Sequence, residues 1–593
     1  MSETGSVPGD GPLRPPEGDA LPEPPAWPRP VPVIGDTTSA AERAAEPAAW
    51  AMGDNVTAAL NSVLDARRDI RKYRPDPVPP DLLRQVLAAG HQAPSVGHSQ
   101  PWRFIVITAS ATRDRAAVLA DRERLRQASA LTPERRDRML DLQLDGIREA
   151  PVGVVVACDR RAPAAGVLGR AGFADADLWS CACAVQNMWL AARAAGLGMG
   201  WVTLFQPADL ADLLGLPDDV ETLGWLCLGW PDERPPEPGL ERQGWSRRAP
   251  LDEVIVSEHW PSADSPAAPV SHLPAPDQQE VVAARDTGDD LLTVPGSLGV
   301  LDAAVNRVLA LRSRPPAGGT LVVVAADHPV ARLGVSAYPA TVTADVLDAT
   351  RRGVSLGAAA ARQVGLRVEA VQAVSSGVTG DLVHADAMPV ASARALVGQG
   401  EELGRRLASD GLVCLGEVGI GNTTVAAALG CVLAGLEPNA AAGLGAGSDI
   451  AIVDRKRDVI GQAVTRARSE HATALTDPYF LLAALGGPEI AFLTGVTLGA
   501  ARARAPVVLD GLVTSVAALL AVRIEPGAQS ALVAGQLSRE TAHGAILTEL
   551  GLEPLLQLRL RAGEGVGACL AAQLLLTAIY VRQLTARTGS KYD

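Results

Sequence analysis

Residues 411–431 read GLVCLGEVGIGNTTVAAALGC. A short apolar run, Gly411–Leu415, is followed by Glu417, by a loop with Gly419 and Gly421, by Asn422, Thr423 and Thr424, and then by an Ala-rich run. A buried strand entering a helix through a glycine-rich turn is the repeating unit of a parallel sheet with helices on both faces. Backbone N–H groups at such a helix start form an anion site, and the two threonine hydroxyls can add donors. A tight turn with no ligand is the simpler alternative. No lysine follows the glycines, so this is not a Walker loop.

The same alternation extends outward. Thr320–Ala325, Val368–Val374 and Pro506–Leu509 are further short apolar strands between Ala-rich helices, which predicts an α/β domain over 289–593 with its parallel sheet flanked by helices. Within it, Gly563-Glu564-Gly565-Val566-Gly567 sets one carboxylate among glycines ahead of an apolar helix. Such a group either caps the helix or serves as a partly desolvated general base. Asp327-His328 follows a strand, but no second ligand motif accompanies it, and no metal is expected. No Gly-x-Ser-x-Gly elbow is present, which disfavours a hydrolase.

The preceding block, 55–256, has a different pattern. Asn55–Ala66, Pro80–Ala93 and Asp175–Ala195 have helical periodicity, whereas Trp102–Thr108, Pro151–Ala157 and Trp225–Gly229 are β-rich, predicting an α+β domain. Residues 1–54 are rich in Pro, Gly and Ala and read as a disordered tail. Residues 257–288 read as a Pro-rich linker. Arg67, Arg68 and Arg71 place three cations within five residues, either a free surface cluster or a clamp for a phosphate dianion. Asp69 lies among them. The loop 93–102 and the segment 196–203 carry glycines that permit close backbone approach to a flat ligand.

The formal charge of −14 over 593 residues argues against nucleic acid as a partner. Apolar residues make up 47% and charged residues 20%, ordinary for a globular protein, while 3% aromatics require cores of Ala, Val and Leu. Most of the seven cysteines lie in apolar runs and read as buried thiols in a reducing, cytoplasmic setting. The apolar stretches 505–522 and 566–581 read as core elements, with no membrane span and no signal peptide.

RRDIR (67–71), APSVGHSQPW (93–102), DLWSCACAVQNMWLAARAAGLGMGWV (177–202) and LCLGWPDE (226–233) together resemble the nitroreductase-like flavoproteins, specifically the dimethylbenzimidazole synthase or flavin-destructase branch. Ordinary nitroreductases usually carry serine where Asp69 stands. The resemblance implies that Arg67, Arg68 and Arg71, with Ser95 and Gln100, bind FMN, which is consumed as a reduced substrate with molecular oxygen. It also implies that Asp69 handles protons during ring breakdown, that Thr203 supplies the hydroxyl usually given by a serine, and that a separate flavin reductase provides the reduced FMN.

PGSLG (295–299), ADHPVARLGVSAYP (326–339), GEVGIGNTT (416–424), GLGAGSD (443–449), GGPEIAFLTG (486–495), PVVLDG (506–511), LGLEPLL (550–556) and RAGEGVG (561–567) resemble, in order, the nicotinate-nucleotide–dimethylbenzimidazole phosphoribosyltransferases. That resemblance implies Glu564 as general base. It implies that Glu417, Gly419, Gly421, Asn422 and Thr423 line the nucleotide site and that Lys456 contacts phosphate. The chain departs from the family between 326 and 375, with Ala326, Asp345 and Val346 at positions that usually differ, in the part of the site where the aromatic base lies. Both families imply a homodimer acting on small molecules: FMN, nicotinate mononucleotide and a benzimidazole. The second activity uses the product of the first, and a shared linker raises the effective concentration of that product. The alternative is an FMN-cycling nitroreductase fused to a divergent or regulatory nucleotide-binding module.

Overall fold

Four β-branched or aromatic runs build the sheet of the first unit: β1 (Trp102–Ile107), β2 (Val152–Asp159), β3 (Gly198–Val202) and β4 (Val220–Gly229). The order is β1-β2-β4-β3 and every pairing is antiparallel. The computed structural model describes residues 26–28, 30, 34–35, 38–142, 144, 146–260, 270–312, 314–377, 379–445 and 449–589. These fall into two compact units, one spanning 48–265 and one joining the described residues up to 47 with those from 266 onward.

In the first unit, α1 (Asp54–Ala66), α2 (Pro80–His91) and α3 (Ala176–Ala194) match the expected helices within two residues. Cys181, Val185 and Met188 of α3 share a core with Val154 and Val156 of β2. The α+β expectation holds, and the glycine-rich segment after α3 is itself the edge strand β3.

The second unit has a five-stranded parallel sheet: β5 (Gly319–Ala325), β6 (Arg367–Gln372), β7 (Leu412–Val418), β8 (Val507–Leu509) and β9 (Leu532–Ala534), in the order β9-β8-β7-β5-β6. The all-parallel arrangement follows from strands apolar on both faces: every residue of β5 is buried. Helices cover both sides: α4 (Leu356–Val364), α5 (Val390–Leu407), α6 (Asn422–Leu433), α7 (Ile450–His471), α8 (Pro488–Arg502), α9 (Leu512–Ile524) and α10 (Val566–Leu584). The helices α5 and α8 touch backbone to backbone. A Cβ at Gly400 would lie 2.0 Å from the Phe492 carbonyl oxygen, and one at Gly495 2.0 Å from that of Val397. The helix α10 runs three residues past the expected 581 and is long and apolar enough to cross a bilayer, but Val566, Ala568, Cys569, Ala571, Ala572, Leu575, Ala578 and Ile579 are buried core residues.

The tail and the linker are more structured than their composition suggested. Ala26–Pro28 pairs in parallel with Arg587–Gly589, and Ser39 caps the helix Ala40–Ala45 in a reciprocal capping box with Glu42. Ser271 and the His272 amide are held by the Glu525 carboxylate, and a helix spans Gln278–Asp289, capped by Asp277. Residues 1–25 of the tail and 261–269 of the linker lie outside the described residues. Six of the seven cysteines are buried and Cys183 is exposed.

Candidate functional site

The segment after α1 lies against β3. The Ile70 N–H donates to the Met199 carbonyl at 3.1 Å, and Asp69 forms an isolated parallel bridge with Met199. Gly198 and Gly200 make this approach possible, because a Cβ at Gly200 would sit 2.2 Å from the Ile70 carbonyl oxygen. The glycines at 198 and 200 therefore serve the approach of two chain segments. Gly196 and Gly198 also line the cleft beside Arg68, where the sequence had suggested room for a flat ligand.

Asp69 is pinned by this contact. Its Oδ1 accepts the Trp201 N–H at 3.1 Å, while Arg71 forms a short ion pair with Oδ2 and also donates to the Trp201 carbonyl at 2.9 Å. Burial pushes the Asp69 carboxyl above its ordinary value, against the pull of Arg71 and of the Trp201 amide. The result is an oriented carboxyl that holds a proton more readily than a free aspartate does. Thr203 follows β3 directly and is exposed, two residues beyond the strand position that anchors Asp69.

The three arginines are held in different ways. Arg67 lies 4.7 Å over the Trp189 ring. Arg68 donates to the carbonyls of Asp65, Arg67 and Pro236. Arg71 is committed to Asp69. A fourth cation, Arg248, went unread because its SRR stretch lies outside every motif. Burial, and then the like charges of Arg248 and Arg68, hold the Arg67 guanidinium below its ordinary value, while Asp69 opposes them. Arg68 also lines a cleft of about 680 Å³ with Trp189, Arg193, Met199 and Trp230, a volume within the usual range for small-molecule sites. Its Nε–H is buried without an acceptor among the described residues. Clustered cations with a spare buried donor, beside indole rings, fit a phosphorylated aromatic such as FMN. Gln100, in a left-handed conformation, lines a second hollow of about 400 Å³ with Arg103, Asp159 and Arg170. Ser95 accepts the Gln100 N–H at 3.1 Å. The structure thus does not bring Ser95 and Gln100 to the arginine-lined cleft.

In the second unit, β7 delivers Glu417 and the loop that follows it. Asn422 donates a short hydrogen bond to the Glu417 carboxylate. Gly421, with φ 99°, closes the turn as N-cap residue of α6. Thr423 faces Lys456, whose Nζ lies 3.4 Å from its hydroxyl and 3.4 Å from the Gly443 carbonyl. Lys456 is 4% exposed, and burial lowers its ammonium while Glu540 raises it. The Thr424 hydroxyl is buried with no partner among the described residues. Part of the 443–449 stretch lies outside the described residues.

Glu564 meets Glu417 across the sheet end. The Glu564 N–H donates to the Glu417 carbonyl at 3.1 Å, and Glu564 Oε2 accepts the Gly357 N–H at 3.1 Å. A Cβ at Gly563 would lie 3.0 Å from Glu417 Oε1, and one at Gly357 2.2 Å from the Glu564 carbonyl oxygen. Burial, then the charges of Asp510, Glu489 and Glu564, push Glu417 up to about 8, with the Asn422 amide pulling down. The site therefore holds one carboxyl that keeps its proton at neutral pH beside a second on a rigid turn.

Sequence reasoning did not single out Glu489, which is fully buried in the first turn of α8, 3.0 Å from His328 Nε2. The Gly-Gly-Pro-Glu helix start was the available signal. His328 is packed against Gly419, where a Cβ would lie 2.8 Å from its Nε2. The divergent region borders the same loop, for Thr343 accepts the Ile420 N–H at 3.3 Å.

The profile of the phosphoribosyltransferase family matches residues 273–589, and that of the nitroreductase family matches 64–230. Over 323 residues the chain is 39% identical to the nicotinate-nucleotide–dimethylbenzimidazole phosphoribosyltransferase of Xanthomonas euvesicatoria pv. vesicatoria (strain 85-10), covering 51% of this chain and 91% of that protein. Over 193 residues it is 40% identical to the 5,6-dimethylbenzimidazole synthase of Rhodospirillum rubrum, covering 32% of this chain and 90% of that protein. A crystal structure of the phosphoribosyltransferase of Thermus thermophilus is 36% identical, with a TM-score of 0.48, covering 52% of this chain and 97% of that one. The protein joins a nitroreductase-type unit to a nucleotide-dependent transferase unit. The chain belongs to the phosphoribosyltransferase family through its C-terminal part and to the 5,6-dimethylbenzimidazole synthases of the nitroreductase family through its N-terminal part.

Proposed function

We propose that this single chain makes 5,6-dimethylbenzimidazole from reduced FMN and oxygen and then transfers phosphoribose from nicotinate mononucleotide to it, giving α-ribazole 5′-phosphate for the cobalamin lower ligand. The observation that carries the reading is that one chain spans about nine-tenths of a synthase and of a transferase whose names share one compound. In the first unit, Arg67, Arg68 and Arg248 would hold the FMN phosphate, and Asp69 and Thr203 serve proton transfers. In the second, Lys456 and the loop from Glu417 to Thr423 hold the nucleotide. One nitrogen of the base attacks the anomeric carbon, nicotinate leaves, and the proton on the other nitrogen passes to Glu564.

The protein acts in the cytoplasm as a homodimer and receives reduced FMN from a separate reductase. Aerobic incubation of the chain with a flavin reductase, NAD(P)H and FMN tests the first half. Release of dimethylbenzimidazole with loss of the flavin supports it. Intact FMN cycling between redox states would leave the nitroreductase alternative standing.

A further inference from the structure

Asp510 directly follows β8 and is 2% exposed. Its Oδ1 accepts the Gly567 N–H at 2.8 Å and an N–H of the Gln536 side chain at 3.1 Å, and its Oδ2 accepts the Gly565 N–H at 3.2 Å. The Asp510 N–H donates in turn to Thr514 Oγ1 at 2.9 Å, which fixes the strand end. These amides open α10, whose N-cap residue, Gly565, has no side chain to cap with. A carboxylate from a neighbouring strand fills that role at the positive end of the helix. The fit leaves no slack: a Cβ at Gly567 would lie 2.5 Å from the Gln536 amide carbon and 2.6 Å from Asp510 Oδ1.

Glu564 lies directly before this capped turn, in the left-handed region with φ 61°. For a residue with a side chain that conformation costs about 1–3 kcal/mol and persists only where its surroundings impose it. Glu417 holds the amide on one side of Glu564, and Asp510 holds the Gly565 amide on the other. Without the second hold, the Glu564 backbone is free to relax and its carboxylate to leave the Gly357 amide.

We propose that Asp510 is a positioning residue of the transfer reaction, an anionic cap that keeps the 563–567 turn in the shape that fixes the Glu564 carboxylate. This rests on the reading of Glu564 as the general base. Asp510 is buried and its carboxylate is taken up by the Gly565, Gly567 and Gln536 N–H groups, so its removal acts on turnover through Glu564.

The test uses the full chain with nicotinate mononucleotide and dimethylbenzimidazole supplied. In Asp510→Asn one acceptor becomes an N–H facing another N–H. Misplacement of a reacting group by about 1 Å costs on the order of 10²-fold, so kcat should fall by about that factor while both KM values stay near wild type. Amide exchange in a peptide covering 561–570 should quicken. Combined with Glu564→Gln, Asp510→Asn should cost nothing further, because the two act as one unit. A full additional loss in that background, or unchanged exchange at 561–570, overturns the proposal. If Glu564→Gln alone turns over like wild type, the base reading fails, and exchange alone then decides whether Asp510 anchors the turn. Should Asp510→Asn not fold, Gln536→Met removes one of the carboxylate's partners and keeps the carboxylate. A smaller kcat loss with steady KM is then expected, and a wild-type kcat overturns the proposal.

Discussion

The Glu564 amide is bound to the Glu417 carbonyl at 3.1 Å, so the two carboxyl-bearing residues of the transferase site share one backbone hydrogen bond although they come from separate elements. Their side chains are then set apart by environment. Glu417 is crowded by Asp510 and Glu489, whereas Glu564 accepts a single amide and remains part-exposed.

Glu564→Gln should therefore abolish transfer and spare binding. Glutamine keeps the shape and the contact with Gly357 but cannot take a proton, and loss of a general base costs about 10²–10⁴-fold. Steady-state kinetics should show the loss in kcat, with the binding constant of the aromatic base unchanged. A decline of less than about tenfold on that scale would move the role to Glu417.

Glu417 makes stability depend on pH. With a folded value of about 8 against an ordinary 4.5, the native state keeps a proton that the unfolded chain releases between those limits. Stability of the second unit should fall as pH rises from about 4.5 to about 8 and then level off. At 1.36 kcal/mol per unit, the effect is on the order of a few kcal/mol. Asp510, raised to about 6 from 3.8, adds the same trend over a lower range. Denaturant midpoints of Glu417→Gln at pH 5.5, 7 and 8.5 should show a flatter profile than wild type. An equal slope in both proteins contradicts this.

Asp69→Asn should bind FMN and make no dimethylbenzimidazole, because the cations at 67, 68 and 248 are untouched while the proton acceptor is gone. Flavin titration and product chromatography separate the two. Unchanged yield would leave Asp69 as a structural partner of Arg71.

Gly200→Ala should give a related loss by a different route. The new methyl would meet the Ile70 carbonyl at 2.2 Å, forcing the 69–71 segment off β3 and breaking the Asp69–Trp201 bond. Overpacking of this kind costs about 1–3 kcal/mol. Thermal unfolding and synthase assays should both register it, and a variant with wild-type stability and yield would show that the approach is not needed.

Much of this was legible in the sequence. Four of the five parallel strands were visible as short apolar-rich runs between Ala-rich helices, although β6 proves only half-buried, whereas β9 was not singled out. The glycines of 196–203 and 563–567 were noticed, but not that Gly200 and Gly567 make room for other parts of the chain, because that depends on tertiary contact. Glu489 and Asp510 fall within recognised stretches, yet nothing local distinguishes a fully buried carboxylate from a surface one. Arg248 reaches Arg67 only through folding. The capping box at Ser39 was readable from Ser-x-x-Glu spacing and was obscured by the composition around it.

The central claim is that one chain both makes the base and attaches it. The most direct measurement supplies the purified protein with a flavin reductase, NAD(P)H, air, nicotinate mononucleotide and FMN carrying ¹³C in its dimethylbenzene ring, and follows products by mass spectrometry. The account predicts α-ribazole 5′-phosphate carrying the label, formed with no added dimethylbenzimidazole. Labelled FMN recovered intact, or labelled dimethylbenzimidazole that accumulates without ever gaining phosphoribose, would contradict it.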